Sequence, residues 1–187
     1  MRLVLVRHAM PEIDPTVPAH RRRLGADGRA AAWALGPLLP ASAYLVASDE
    51  PKAAMTLADA ARDAADVVVD ADFGEVRRPD GWVSDHREWA RAYVAACVPS
   101  AGARPADGVH DGWEVPAAVA ARFEAAVARH AERAGRRTLV VGTHGMAMTV
   151  WLVTRVDLDP AGIWAALRFP DMIDVDLAAG AVSRRTP

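Results

Sequence analysis

The chain has 187 residues, of which 52% are apolar and 25% are charged, and its formal net charge at pH 7 is −2. These values predict one globular domain spanning residues 1–187, and no run approaches the roughly 18 apolar residues of a membrane-spanning helix. The near-neutral charge argues against a nucleic-acid-binding face. The only cysteine, Cys97, excludes an internal disulfide and a cysteine-based zinc site.

Strand patterns and helix patterns alternate along the chain. In order, the sequence predicts a strand at 2–6, a helix at 27–39, a strand at 43–47, a helix at 51–62, a strand at 67–69, helices at 85–97 and 115–134, a strand at 138–141, a helix at 145–153, and strands at 163–169 and 172–177. This alternation is typical of βαβ units. It predicts a three-layer α/β/α, doubly wound and mostly parallel sheet, in which the last two strands, joined through Pro170 and Asp171, form an antiparallel edge.

The regular alternation stops at about 70–113. Prolines and glycines surround a single predicted helix there, so the segment is interpreted as an excursion from the core. Loops of this length usually have a function. We therefore expect the excursion to act as a lid over the binding site.

Charged and polar residues cluster just after the predicted strands, where open α/β sheets bind their ligands. The residues at these strand ends are Arg7, His8, Ser48, Lys52, Glu75, Thr143 and His144. Each one alone would usually be structural or solvated, but their joint placement predicts an active site. No glycine-rich phosphate loop occurs, and histidine is the only strong nucleophile in view. The pattern therefore points to phosphoryl transfer through a phosphohistidine.

Several segments resemble the motifs of one known family, in the same order along the chain. The segments are Arg7-His8-Ala9, residues 48–56, residues 73–76 around Glu75, residues 141–145 around His144, and Glu114 with Arg122. The first is similar to the R-H-G signature of the histidine phosphatase superfamily, branch 1, which contains the phosphoglycerate mutase-like proteins. The second resembles that family's S-x-x-x-R-A-x-x-T segment.

The resemblance implies a role for each site residue. It implies that His8 is the nucleophile, that Glu75 is the general acid and base, and that Arg7 and His144 assist catalysis. The residues that it implies for binding the phosphoryl group are Arg7, Ser48, Lys52, Thr143 and His144. It implies no metal and no cofactor.

Three residues depart from the family pattern. Ala9 replaces a glycine, which should cost little. Asp14 stands where mutase-type members often have a phosphate-binding asparagine, so that contact is expected to be lost and a carboxylate there would repel phosphate. Lys52, the only lysine beside 21 arginines, replaces an arginine. It keeps the charge but gives up the two-pronged guanidinium.

The expected activity is hydrolysis of a small phosphorylated metabolite, because the chain is compact whereas mutases of this family generally carry longer insertions. Three alternatives stay open: mutase-type phosphoryl transfer, a non-catalytic phosphate-binding module with a decayed site, and a metal-dependent hydrolase, for which the sequence offers no ligand spacing. The N-terminus lacks the apolar core of a secretory signal, so the cytoplasm is the expected location. The sequence leaves open whether the chain forms a homodimer, and it predicts neither nucleic-acid nor membrane partners.

Overall fold

The computed structural model describes residues 2–62, 66–80, 85–96 and 110–185. Its strands are β1 (Leu3–Arg7), β2 (Ala43–Ala47), β3 (Val68–Val69), β4 (Thr138–Thr143), β5 (Asp171–Asp176) and β6 (Ala181–Arg184). Its α-helices are α1 (Ala26–Ala34), α2 (Pro51–Ala61), α3 (His86–Ala95), α4 (Pro116–Ala134), α5 (Gly145–Leu152) and α6 (Pro160–Ala166). Short 3₁₀ turns lie at Ala19–Arg21, Gly36–Leu38 and Ala71–Phe73.

The six strands form one sheet in the order β3-β2-β4-β1-β5-β6. The first four strands in this order run parallel to one another, β5 runs antiparallel to β1, and β6 runs antiparallel to β5. The predicted α/β fold with a mostly parallel sheet and an antiparallel edge is therefore confirmed. Because β1, β2 and β4 are adjacent and parallel, their carboxyl ends meet at one edge of the sheet.

Helices cover both faces of the sheet, which follows from the period-two alternation of side chains in β1. Leu3 and Leu5 pack toward α3, α4, α5 and α6, whereas Val4 and Val6 pack toward α2. All four side chains are buried, and each such burial contributes roughly 1.5–3 kcal/mol. The central strands are therefore fixed from both sides, and the residues that follow them are held in place.

The predicted strand at 163–169 is wrong. This part of the chain forms α6, because Asp159 caps the backbone N–H groups of Ala161 and Gly162 and Pro160 begins the helix. The apolar residues Pro160, Trp164 and Leu167 are buried, at the spacing of a helix face. The antiparallel edge is instead a hairpin of β5 and β6, and β6 was not predicted.

The excursion contains one described helix, α3, which agrees with the helix predicted at 85–97 except at its end. Residues 81–84 and 97–109 lie outside the described part of the chain, and so does Cys97. Among the described residues, none of the helices is both long and apolar enough to cross a membrane.

Candidate active site

A cavity of about 450 Å³ opens at the carboxyl ends of β1, β2 and β4. Five of the residues predicted for the site line it, namely Arg7, His8, Lys52, Glu75 and His144. They come from four separate stretches of the chain. The sheet order brings these stretches together, as the positions after the strands predicted.

His8 lies directly after β1, and hydrogen bonds fix its own backbone N–H and that of the next residue. Its backbone N–H donates to the carbonyl of Thr143, at 3.0 Å, and the next N–H, that of Ala9, donates to Oγ1 of Thr56, also at 3.0 Å. The ring Nδ1 of His8 lies 2.8 Å from the carbonyl oxygen of Ala9. A carbonyl can only accept, so Nδ1 carries the proton and Nε2 keeps its lone pair. This tautomer makes Nε2 the nucleophilic atom.

Both histidines of the site are held in the neutral form. Burial, His144 and Lys52 lower the pKa of His8 to well below its ordinary value. Burial and Lys52 do the same to the pKa of His144. The two rings lie edge to face with their centroids 5.0 Å apart. This environment therefore leaves Nε2 of His8 with a free lone pair at neutral pH.

His144 precedes the first residue of α5 and is completely buried. Its Nε2 lies 3.0 Å from Oγ of Ser48, and its Nδ1 has no hydrogen-bond partner among the described residues. Ser48 therefore binds the ring of His144, and it is not among the residues that line the cavity. Thr143 does not line it either, since its hydroxyl donates to the carbonyl of Phe73 at 2.7 Å.

Arg7 is buried in the cavity wall between two contacts. Its Nη1 donates to the carbonyl of Leu167 at 2.9 Å, and its Cζ lies 3.4 Å from the ring centroid of Phe169. Burial lowers the pKa of Arg7 to about 10, so the guanidinium is still charged at neutral pH. Its Nε is buried and has no hydrogen-bond partner in the described part of the chain.

Gly145 makes room for this guanidinium. A Cβ atom at Gly145 would lie 3.0 Å from Nε of Arg7 and 3.1 Å from its Cζ, closer than most side chains tolerate. A side chain at this position would therefore require the guanidinium of Arg7 to shift by a few tenths of an ångström.

Lys52 is buried and does not extend into solvent from the start of α2. Its ammonium donates to the carbonyl of Ala19 at 2.9 Å and to the carboxylate of Glu50. Glu50 also lines the cavity and was not predicted as a site residue. Glu50 stands two residues before the only lysine of the chain, and this proximity could have suggested an ion pair. A separation of two residues does not by itself show in which direction either side chain points.

Glu75 lies in the loop after β3 with its carboxylate at the start of α5. Its Oε1 accepts from the N–H groups of Val76, at 3.0 Å, and Ala147, at 2.9 Å, while Oε2 accepts from Met146 at 3.3 Å. The N-terminus of a helix is a favourable place for a carboxylate. The carboxylate is thereby fixed at the cavity wall.

Asp14 lies outside the cavity. Its exposed carboxylate accepts from the backbone N–H and the hydroxyl of Thr16, at 2.8 and 2.7 Å. These hydrogen bonds lower the pKa of Asp14. The carboxylate is satisfied within its own loop and is not among the groups that line the cavity.

The rest of the cavity wall is part apolar and part basic. Its apolar side chains include Met10, Ile13, Met146, Trp164 and Phe169, and its basic ones include Arg22, Arg77 and Arg78. Within the described residues, no three His, Cys, Asp or Glu side chains lie close enough together to hold a metal ion. The groups present can bind an anion, supply a nitrogen nucleophile and move a proton.

Comparison with solved structures finds the same fold in several phosphatases. Mycobacterial glucosyl-3-phosphoglycerate phosphatase matches with a TM-score of 0.66 and 21% identity, over 92% of this chain and 88% of that one. A mutant phosphoserine phosphatase from Entamoeba histolytica, in complex with phosphoserine, matches with a TM-score of 0.73 and 13% identity, over 99% of this chain and 95% of that one.

The sequence comparisons give one match. No curated protein matches the chain significantly. The family model of the histidine phosphatase superfamily (branch 1) matches residues 3–170, which include His8, Lys52, Glu75 and His144. The chain therefore belongs to branch 1 of the histidine phosphatase superfamily.

Proposed function

We propose that this protein is a metal-independent phosphomonoester hydrolase of the cytoplasm, and that it acts on a small phosphorylated metabolite through a phosphohistidine at His8. The observation that carries the proposal is the state of His8. It is a buried, neutral imidazole whose Nδ1 donates to the carbonyl of Ala9, in a cavity whose lining also includes Arg7, Lys52 and His144.

In the first step, Nε2 of His8 attacks phosphorus and the bond from phosphorus to the ester oxygen breaks. Arg7 and Lys52 offset the negative charge on the phosphoryl oxygens, where phosphoryl transfer obtains most of its catalysis. Glu75 gives a proton to the departing alkoxide.

In the second step, water replaces the alcohol. Glu75, now a carboxylate, takes a proton from this water, whose oxygen attacks phosphorus. The bond between phosphorus and Nε2 breaks, and inorganic phosphate leaves. His8 returns to the neutral form and Glu75 is protonated for the next cycle, so protons and phosphoryl groups balance over the two steps.

The decisive experiment is to trap the intermediate. Purified protein is mixed with ³²P-labelled phosphomonoesters in the presence of EDTA and quenched in alkali, in which phosphohistidine survives. We expect release of inorganic phosphate and an acid-labile label on the wild-type protein. The His8→Ala variant should show neither, whereas His110→Ala, a histidine outside the cavity, should show both.

Other outcomes would identify the alternatives. A label that passes to a second alcohol and not to water would indicate a mutase. Hydrolysis that EDTA abolishes would indicate a metal-dependent enzyme. Full activity in a folded His8→Ala protein would contradict the phosphohistidine mechanism.

A further inference from the structure

Arg122 lies in α4 and is not among the residues that line the cavity, yet all five of its N–H groups are bonded near Glu75. Nη1 donates to the carbonyls of Asp72, at 2.7 Å, and Gly74, at 2.9 Å. Nη2 donates to the carbonyl of Glu75, at 3.0 Å, and to Glu114, at 2.9 Å. Nε donates to the other oxygen of Glu114, also at 2.9 Å. A guanidinium has no further donors, so its geometry is fully determined.

Glu114, the ion-pair partner of Arg122, binds the backbone of Arg77, two residues after Glu75. Its carboxylate accepts the N–H of Arg77 at 3.1 Å, and its own N–H donates to the carbonyl of Arg77 at 2.8 Å. Partial burial acts to raise the pKa of Glu114, but hydrogen bonds from Arg122 and from the N–H of Arg77 hold that pKa below its usual value. Glu114 therefore remains a charged partner of Arg122 well below neutral pH.

Residues 74–77 are part of neither a helix nor a strand, so side chains supply most of their backbone hydrogen bonds. Glu50 accepts the N–H of Glu75, Arg122 binds the carbonyls of Gly74 and Glu75, and Glu114 accepts the N–H of Arg77. Arg122 and Glu114 thus hold the backbone immediately before and after Glu75. Both side chains are nearly excluded from solvent, at 9% and 10% exposure. Removing either partner of such a buried pair is costly, because it leaves the other charge unpaired.

We propose that Arg122, held by Glu114, is a positioning residue for general acid catalysis: it sets the direction of the Glu75 carboxylate without contacting the substrate. The proposal rests on the proposed function, in which Glu75 protonates the leaving group. The competing interpretation is a buried ion pair that only stabilises the fold. The two differ in which substrates are affected when Arg122 is changed.

The test compares an ester that needs a proton with one that does not. Glycerol 2-phosphate has a poor leaving group and 2,4-dinitrophenyl phosphate has a good one. For Arg122→Lys, the ratio of kcat on the first to kcat on the second should fall by about tenfold or more, because a small misplacement of a catalytic group is costly. In a Glu75→Gln background the same change should lower the ratio by less than about twofold, since there is no proton left to position.

Glu114→Gln provides a second variant that keeps the shape of the side chain, and Arg129→Lys is the matched control. Arg129 is another ion-paired arginine on α4, but it binds the side chains of Asp70 and Asp72 and none of the three carbonyls. The ratio of kcat values on the two esters should be the same for Arg129→Lys as for wild type. Equal loss on both substrates, or an equal fall of the ratio in the Glu75→Gln background, would overturn the proposal.

Hydrogen exchange gives a readout that does not require activity. Exchange of the backbone amides of residues 74–77 should accelerate at least tenfold in Arg122→Lys and be unchanged in Arg129→Lys. Unchanged exchange in Arg122→Lys would also overturn the proposal. If no phosphomonoester is hydrolysed at all, the proposed function fails, and the exchange rates alone decide whether Arg122 fixes this loop.

Discussion

The carboxylate of Glu50 pairs with the ammonium of Lys52, and both side chains are nearly excluded from solvent, at 12% and 7% exposure. The same carboxylate accepts the backbone N–H of Glu75 at 3.0 Å and lies 3.5 Å from Nε2 of His144. With Ala19 and Glu50 as acceptors, Lys52 has one N–H left for a phosphoryl oxygen. In the proposed function the ammonium of Lys52 therefore binds both the protein and the substrate.

This pair predicts a specific order of activities. Lys52→Met should lower kcat/KM on the best substrate by about a hundredfold or more, because it removes a contact to the transition state worth about 2–4 kcal/mol and leaves Glu50 unpaired beside the phosphoryl group. Lys52→Arg keeps the charge and should retain substantial activity. The double variant with Glu50→Gln should recover part of the loss. Equal kcat/KM for Lys52→Met and wild type would show that Lys52 does not act in the site.

The pH dependence should respond to the same lysine. Burial, His144 and Lys52 keep the pKa of His8 below its ordinary value, so wild-type His8 stays neutral until the pH falls well below 6.5. Lys52→Met removes one like charge, which raises the pKa of His8 and moves the acid limb of kcat/KM to higher pH. Both proteins are measured on one substrate, so that ionisation of the substrate affects both profiles equally. Superimposable profiles would contradict the expected coupling.

The role of Glu75 can be tested by changing the leaving group. Glu75→Gln should lower kcat on glycerol 2-phosphate by about 10²–10⁴-fold and should affect 2,4-dinitrophenyl phosphate far less, because only the poor leaving group needs a proton. Equal losses on both esters would assign Glu75 a structural or binding role.

Gly145 offers a test of the space around Arg7. Gly145→Ala places a Cβ atom about 3 Å from a guanidinium that is already fixed by Leu167 and Phe169. We expect Arg7 to shift and kcat/KM to fall about tenfold. The inhibition constant of inorganic phosphate should rise in parallel, and the unfolding midpoint should change little. An unchanged inhibition constant would mean that Arg7 does not contact the phosphoryl group.

Much of the fold could be predicted because its central strands are short, apolar and buried on both faces. The buried run ending at Val6 predicted β1, and the strand ends correctly placed five chemical groups at one cavity. Helix α6 was misread since its apolar run at 163–169 also fits a strand. The better signal was the pair Asp159 and Pro160, a cap followed by a residue suited to the first helical turn.

The parts of the site that sequence could not supply depend on side-chain direction. Ser48 and Thr143 follow strands as predicted, but one hydroxyl supports His144 and the other binds Phe73. The side chain of Glu50 points into the cavity because it accepts hydrogen bonds there from Lys52 and from the N–H of Glu75. Such choices are made by partners distant in sequence, and no local pattern encodes them.

The two hydrogen bonds that join Arg77 to Glu114 bring the ends of the excursion side by side. The chain between these two residues, which includes α3, therefore begins and ends at one fixed point. The entropic cost of closing such a loop rises by only about 0.6 kcal/mol for each doubling of its length. The length of this segment can therefore change at little cost in closure entropy while the backbone around Glu75 stays fixed.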